Sequence, residues 1–294
     1  MAITPSVVHG ALPEDVVPLV YGLVEDAEQA DGIAPLSEQR LLWLGDADAP
    51  VVHLLTWAPG RLTGIAQLDL GVDGKATAEL AVAPSDRRQG LGEVLLRGAR
   101  KEAGDREFAV WAHGDLPGAK ALAMGSGLRP ARELWIMRVD LVARPQVEIR
   151  ALPEGVTVRT FVVGQDEDAW LRVNARAFAD HPEQGRISLA DLEAREAEPW
   201  FDAESFFLAE RDGELLASVW LKVVDGIGEI YVLGVDPDAQ GLVLGSALTA
   251  RALERFDQLG LGVAILYTSA SNLAAVRTYA KFGFAPSNVD VTYA

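Results

Sequence analysis

The apolar and polar positions of this chain trace one plan twice. In the first half, residues 15–30 read as a helix with an acidic surface. Apolar runs follow at 51–58, 62–71 and 76–83, separated by Pro59-Gly60 and by Asp73-Gly74, and these predict successive strands joined by turns. Residues 93–103 bring Leu95, Leu96 and Ala99 to one helical face. A strand at 108–112, a short helix at 117–126 ended by Gly127 and a strand at 133–141 complete that half. The second half predicts helices at 170–178 and 189–197, then a hairpin of 206–210 and 215–224 around Asp212-Gly213. A strand at 229–235 leads to a helix at 245–259, whose buried stripe is Leu248, Ala252, Phe256 and Leu259. A strand at 263–268, a helix at 273–282 capped by Asn272 and stopped by Gly283, and a strand at 288–293 close the chain. Between the halves, Arg144-Pro145 and Leu152-Pro153-Glu154-Gly155 break structure. The expected organisation is therefore two domains, 1–143 and 156–294, joined by a linker at 144–155. The fold class is α/β (α+β), each domain a mixed, mainly antiparallel sheet flanked by helices.

Composition narrows the function. The 294 residues leave room for two domains, each with its own core. No apolar run reaches membrane-spanning length and no signal pattern opens the chain, so the cytoplasm is the expected compartment. There are no cysteines, which removes disulfides, cysteine nucleophiles and cysteine metal sites. His9, His53, His113 and His181 lack metal-ligand spacing, so no metal is expected. A formal charge of −17 disfavours nucleic acid and anionic membrane surfaces, and reads most simply as solubility. Any anionic ligand must then be attracted locally.

Two loops offer that attraction. The first reads Val82-Ala83-Pro84-Ser85-Asp86-Arg87-Arg88-Gln89-Gly90-Leu91-Gly92, and the second Val235-Asp236-Pro237-Asp238-Ala239-Gln240-Gly241-Leu242-Val243-Leu244-Gly245. Each lies between a strand and a helix, where unpaired N–H groups and the positive dipole end bind anions such as a pyrophosphate. Glycines let phosphates approach the backbone, and Arg87 or Gln240 adds a donor. The spacing resembles motif A of the Gcn5-related N-acetyltransferases, Gln/Arg-x-x-Gly-x-Gly/Ala. Arg87, Gly90 and Gly92 match it in full, whereas Val243 stands at one glycine of the second copy. The expected acetyl-CoA contacts are Val82, Arg87, Arg88, Gln89, Gly90, Leu91 and Gly92. In the second half they are Val235, Gln240, Gly241, Leu242, Val243, Leu244 and Gly245, together with Asn272. Val243 is expected to weaken the cofactor without harming the fold, so Val243→Gly should leave the melting temperature nearly unchanged. The bland alternative places Val243 at negative φ, pointing away from the ligand.

Acetyl transfer to an amine needs a base for the amine, polarisation of the thioester and a proton for the leaving thiolate. Glu229 opens the strand before the second loop and is the base candidate; as a surface carboxylate it would have no such role. Tyr279 lies in a segment resembling the acetyltransferase Asn-x-x-Ala-x-x-x-Tyr-x-x-x-Gly-Phe pattern, whose tyrosine is the usual acid. Its plain alternative is a core aromatic. Counting back by the repeat places Ala76 and Ala123 at these registers in the first half. Neither moves a proton, so the first half reads as a binding or structural domain. Glu79 lies nearby but out of register.

Over nearly the whole chain the resemblance is closer than motif A. It resembles the mycothiol synthase family of tandem acetyltransferases. The matching stretches are 31–39, 111–115, 132–135, 174–185, 197–202, 228–232 and 274–279, and the most specific is His181-Pro182-Glu183-Gln184-Gly185. The resemblance implies transfer of acetyl from acetyl-CoA to the cysteinyl amine of a cysteinyl-glucosaminyl-inositol. It also implies a catalytic C-terminal domain and a small-molecule partner, contacted by Asp31, His181, Glu183, Gln184, Lys222 and Glu229. The protein is expected to be a monomer. Three departures stand out. They are Val243, Ser269 and Ser271 in place of acidic residues, and the stretch Ala217–Val224, which has lost two histidines and a threonine of the family pattern. Several of these are expected to face CoA or the sugar. They leave open a tandem acetyltransferase for another small amine, or an acyl-CoA-binding protein with an impaired second site.

Overall fold

The computed structural model describes residues 4–71, 74–148, 150–179 and 182–294. Asp73, assigned to a turn in the sequence reading, lies outside them. The chain forms two compact units, residues 1–134 with 289–294, and residues 135–288. The division differs from the expected linker at 144–155. It falls inside two strands, Pro130–Asp140 and Ala285–Tyr293, because each contributes residues to both units. No helix among the described residues is long and apolar enough to cross a membrane.

In the first unit the elements are β1 (Ser6–His9), α1 (Val17–Asp31), α2 (Glu38–Leu42), β2 (Val51–Ala58), β3 (Arg61–Asp69), β4 (Lys75–Val82), α3 (Leu91–Ala103), β5 (Glu107–Ala112) and α4 (Pro117–Gly125). The start of β6 (Pro130–Asp140) follows. Strands β1 to β4 are antiparallel neighbours, and β4 and β5 are parallel. One face carries Val20, Leu23 and Val24 of α1 against Leu55, Ile65 and Ala81. The other carries Leu95, Leu96 and Ala99 of α3 against Leu54, Leu68 and Ala78. The alternation along β4 is the period-two pattern of a strand packed on both faces.

The second unit contains β7 (Val156–Thr160), α5 (Glu167–Ala177), α6 (Pro182–Gly185), α7 (Leu189–Glu196), β8 (Phe206–Arg211), β9 (Glu214–Val224), β10 (Ile227–Val235), α8 (Leu244–Gln258), β11 (Val263–Ser269) and α9 (Leu273–Lys281). Strands β7 to β10 are antiparallel neighbours, and β10 and β11 are parallel. The α8 stripe, Leu248, Ala252 and Phe256, buries against Val219, Leu221 and Ile230. Each fully buried leucine, isoleucine, valine or phenylalanine of this set contributes about 1.5–3 kcal/mol. Gly228 is required here, since a Cβ would stand 2.7 Å from the Phe256 ring. Opposite, Trp170, Phe206, Trp220 and Val232 form an aromatic-rich core. The last strand, β12 (Ala285–Tyr293), ends in the first unit, where Val291–Tyr293 pair with Val110–Ala112.

Four short elements are absent from the sequence expectation: β1, α2, α6 and β7. Each is only four or five residues long, too short for a periodic signal.

Candidate acetyl-transfer site

The two loops adopt the same backbone path. After a 3₁₀ turn at Pro84–Asp86 or Pro237–Ala239, Arg87 and Gln240 are extended. Arg88 (φ 62°) matches Gly241 (φ 81°), and Gly90 (φ 83°) matches Val243 (φ 57°). Each loop therefore has two left-handed positions, and each places glycine at only one of them. Val243 does not sit at negative φ. It holds the left-handed conformation that a β-branched residue strongly disfavours. Its ψ of 9° is close to the 0° of Gly90, so the backbone at the mouth of α8 keeps the form seen at α3. A Cβ built on Gly90 or Gly241 meets nothing within 4 Å, so these glycines border open space, as a phosphate cradle requires.

The side chains of the loops divide by burial. Leu91 and Leu244 are core residues that open α3 and α8, so only their backbone can face a ligand. Gln89, Arg88 and Gln240 are exposed, and Val82, Gly92, Val235, Leu242 and Gly245 are intermediate. Arg87 has a partner inside the protein. Its Nη1 and Nη2 donate to the two Asp31 oxygens at 2.7 and 2.8 Å, and its Nε to the Val82 carbonyl at 3.2 Å. Asn272 caps α9, its Oδ1 accepting from Ala275 N at 3.1 Å.

Both parallel ladders stop early. The first runs from Lys75↔Glu107 to Ala78↔Val110, although β4 continues to Val82. The second runs from Ile227↔Val263 to Ile230↔Leu266, although β10 continues to Val235. Beyond those points the strands splay, and among the described residues no strand pairs with that free edge of β4 or β10. An edge of this kind offers backbone N–H groups to an acyl carbonyl.

The units differ at the splay. In the second unit the β9–β10 register slips between Ile230 and Val232, leaving Tyr231 as a bulge. The β3–β4 register is unbroken. The extra residue shifts the repeat by one before the bulge. Glu229, opposite Lys222, therefore corresponds to Thr77, opposite Asp69, and not to Ala76. Thr77 Oγ1 accepts from Arg40 Nη2 at 2.9 Å. Glu229 is half-buried, on the face opposite Gly228 and Ile230.

Tyr279 on α9 is buried, its ring 6.0 Å from Phe284 and edge-on to it. Burial pushes its phenol up to about 12. Lys222 Nζ lies over the rings of Trp200 and Tyr231, at 4.6 and 5.3 Å from their centroids. Gln184 is held by Asn174, through its carbonyl at 2.7 Å and its amide at 3.1 Å. His181 lies outside the described residues, and so does the side chain of Glu183. Among the departures, Val219 is a core residue packed with α8, Leu221 is buried but also lines a cavity with Trp200 and Val223, and Val224 is exposed. Ser269 is buried, with its hydroxyl 2.8 Å from that of Ser271.

The sequence reading missed a polar cluster in the first unit. Glu79, 4% exposed, accepts from Ser37 N at 2.6 Å and Ser37 Oγ at 2.9 Å, with Arg40 Nε at 3.4 Å. His113 Nε2 lies 3.4 Å from Glu79, and its Nδ1 3.0 Å from Asp290. Burial opposes ionisation of Glu79, but the His113 charge, with Arg40 and the Ser37 N–H, holds the carboxyl down at about 2. Burial likewise opposes the charge on His113, yet Glu79 and Asp290 hold it up at about 10. At neutral pH the group is an imidazolium between two carboxylates, and so not a base. The signal was Glu79 in an otherwise apolar strand.

The profile of the Acetyltransferase (GNAT) family matches residues 171–284. Mycothiol acetyltransferase of Cellulomonas flavigena is 54% identical, covering 97% of this chain and 87% of that protein. Mycothiol acetyltransferase of Sanguibacter keddieii is 51% identical over 94% and 91%. The chain belongs to the mycothiol acetyltransferase family. A solved tandem GNAT protein from the clavulanic acid biosynthesis pathway has the same fold, with a TM-score of 0.73 at 18% identity over 98% of this chain and 97% of that one. In this mycothiol acetyltransferase family member the GNAT profile falls wholly within the second unit, where the bulge, Glu229 and Tyr279 are found.

Proposed function

We propose that the protein transfers the acetyl group of acetyl-CoA to the cysteinyl amine of a cysteinyl-glucosaminyl-inositol, the last step of mycothiol synthesis. The second unit carries the chemistry, and the first holds a non-reacting loop for the same cofactor. The supporting observation is the asymmetry between the units: Glu229 and Tyr279 in one, Thr77 and Ala123 at the same registers in the other.

In this reading the amine nitrogen attacks the thioester carbon, the C–N bond forms and the C–S bond breaks. Glu229 takes the proton from nitrogen, directly or through water. The free edge of β10 stabilises the carbonyl oxygen. Tyr279 faces the departing sulfur. A phenol at about 12 stays protonated at neutral pH. Full transfer to a thiolate whose acid lies near 8.5 is uphill by about 5 kcal/mol. Tyr279 therefore acts mainly as a hydrogen bond to the developing charge. Lys222, on its aromatic platform, and Gln184 border the acceptor; Asp31, an acceptor contact by resemblance, has both oxygens on Arg87. A different amine acceptor is motivated by the lost polar residues: Val219 is a core position, but Leu221 lines a cavity with Trp200 and Val224 is exposed, so other amines are included in the test.

The test is release of CoA with the cysteinyl acceptor, with other small amines as controls. Tyr279→Phe should lower kcat more than it raises KM. Glu229→Gln should remove the acid limb of the pH–rate profile. Turnover of other amines only, or wild-type kinetics in both variants, would overturn the reading.

A further inference from the structure

Tyr231 is the residue that the β9–β10 ladder skips. Lys222 faces Glu229 and Leu221 faces Ile230, and then Trp220 faces Val232. One extra residue bends the strand and increases its twist. The parallel ladder to β11 ends at Ile230, directly before the bulge. The free edge of β10 thus begins where the bulge lies, two residues beyond Glu229.

The bulged side chain is held from outside the sheet. Its hydroxyl accepts a 2.8 Å hydrogen bond from Arg195 Nε. Its ring lies 5.1 Å from Trp200 and 5.2 Å from Trp220, edge-on to both. Arg195 is 5% exposed and comes from α7, where its Nη1 donates to the Asp191 carbonyl at 2.8 Å. The start of α7 is fixed in turn by a capping box between Ser188 and Asp191. From the other face, Gly228 lies against the Phe256 ring, where no side chain fits. A slip of one residue would turn Glu229 towards that ring.

We propose that Arg195 is a positioning residue for acetyl transfer: through the Tyr231 hydroxyl it pins the bulge that sets Glu229 against the free edge of β10. Arg195 touches no reacting atom in this account. It acts by keeping the carboxylate and the carbonyl-binding edge in one geometry, and small misplacements of such groups cost up to about a hundredfold in rate. The proposal rests on the second unit being the one that transfers acetyl.

The experiment uses the full chain with acetyl-CoA and the cysteinyl acceptor. Tyr231→Phe removes only the hydroxyl, and Arg195→Met removes the donor while keeping much of the length. Both should lower kcat about ten- to a hundredfold, with KM for acetyl-CoA within about twofold. Arg195→Lys should recover part of the rate. The double variant should be no slower than the slower single one, because both remove the same contact. Wild-type kcat in Tyr231→Phe, or multiplicative losses in the double variant, would overturn the proposal even if Arg195→Met fails to fold. Glu229→Gln is run alongside. A slow Glu229→Gln beside a normal Tyr231→Phe defeats the proposal alone, whereas a normal Glu229→Gln defeats the role of Glu229 as base on which the proposal rests.

Discussion

Replacing Val243 by glycine tests strain and cofactor fit in one variant. The left-handed conformation at φ 57° costs an L-residue about 1–2 kcal/mol, and a β-branched residue belongs at the upper end. Glycine removes that cost but loses more backbone entropy on folding, about 0.5–1 kcal/mol. The net expectation is a gain of about 1 kcal/mol. In a unit of this size that is about 2–4 °C in the melting of the second unit. This replaces the unchanged melting temperature expected from sequence, which assigned no stability cost to a valine at positive φ. For the ligand, the matching backbone angles of Gly90 and Val243 mean that the N–H groups already point as they do in the first loop. What the valine adds is an isopropyl group at a position where the first loop borders open space. If that group displaces one N–H contact to a phosphate, worth about 1.5–3 kcal/mol, acetyl-CoA should bind the variant about ten- to a hundredfold more tightly. Differential scanning calorimetry of the apo protein reads the first effect and titration calorimetry the second. An unchanged melting temperature would refute the strain argument. An unchanged affinity at the second loop would show that the isopropyl group stays clear of the ligand.

Two further outcomes are expected. The His113 charge is supported up to about pH 10, so its stabilisation is complete below about 6.5 and is lost as pH rises through 10. Glu79, held at about 2, contributes above about 4.5 and loses its contribution as pH falls towards 2. Chemical denaturation across pH should therefore show stability of the first unit falling between about 6.5 and 10, and His113→Gln should flatten that limb; an unchanged slope would discount the cluster. Asp31→Asn should release Arg87 from its bidentate partner and tighten acetyl-CoA at the first loop by up to about fivefold in titration calorimetry, since partly exposed pairs are worth up to about 1 kcal/mol. Weaker binding would show that Asp31 orients Arg87 instead of competing for it.

The loops were legible because proline and glycine mark backbone conformation directly, and the order of strands and helices was legible because their apolar periods are long. The bulge was not. Tyr231 fits the apolar run of a strand as well as any ladder residue, and only the register with β9 reveals that it is extra. Aligning the repeats by counting alone therefore set Glu229 against Ala76, one place from Thr77. Glu79 was visible but had no partner in local sequence: Arg40 and His113 lie 39 and 34 positions away and meet it only through the fold, and Asp290 joins the cluster through His113. The strain at Val243 was hidden for a different reason, because a valine in a glycine position can signal either a relaxed loop or a strained one.

The last six residues have a consequence for how the chain is made. Val291–Tyr293 complete the sheet of the first unit, Asp290 holds both His113 and the Gly114 N–H, and Tyr293 bonds to Asp115. The half that leaves the ribosome first must wait for residues 289–294 before its sheet closes and its buried imidazolium gains a second carboxylate. A fragment cut at residue 143 would be permanently in that waiting state, so a failure of such a fragment to hold acetyl-CoA would report an unfinished fold and say nothing about the loop.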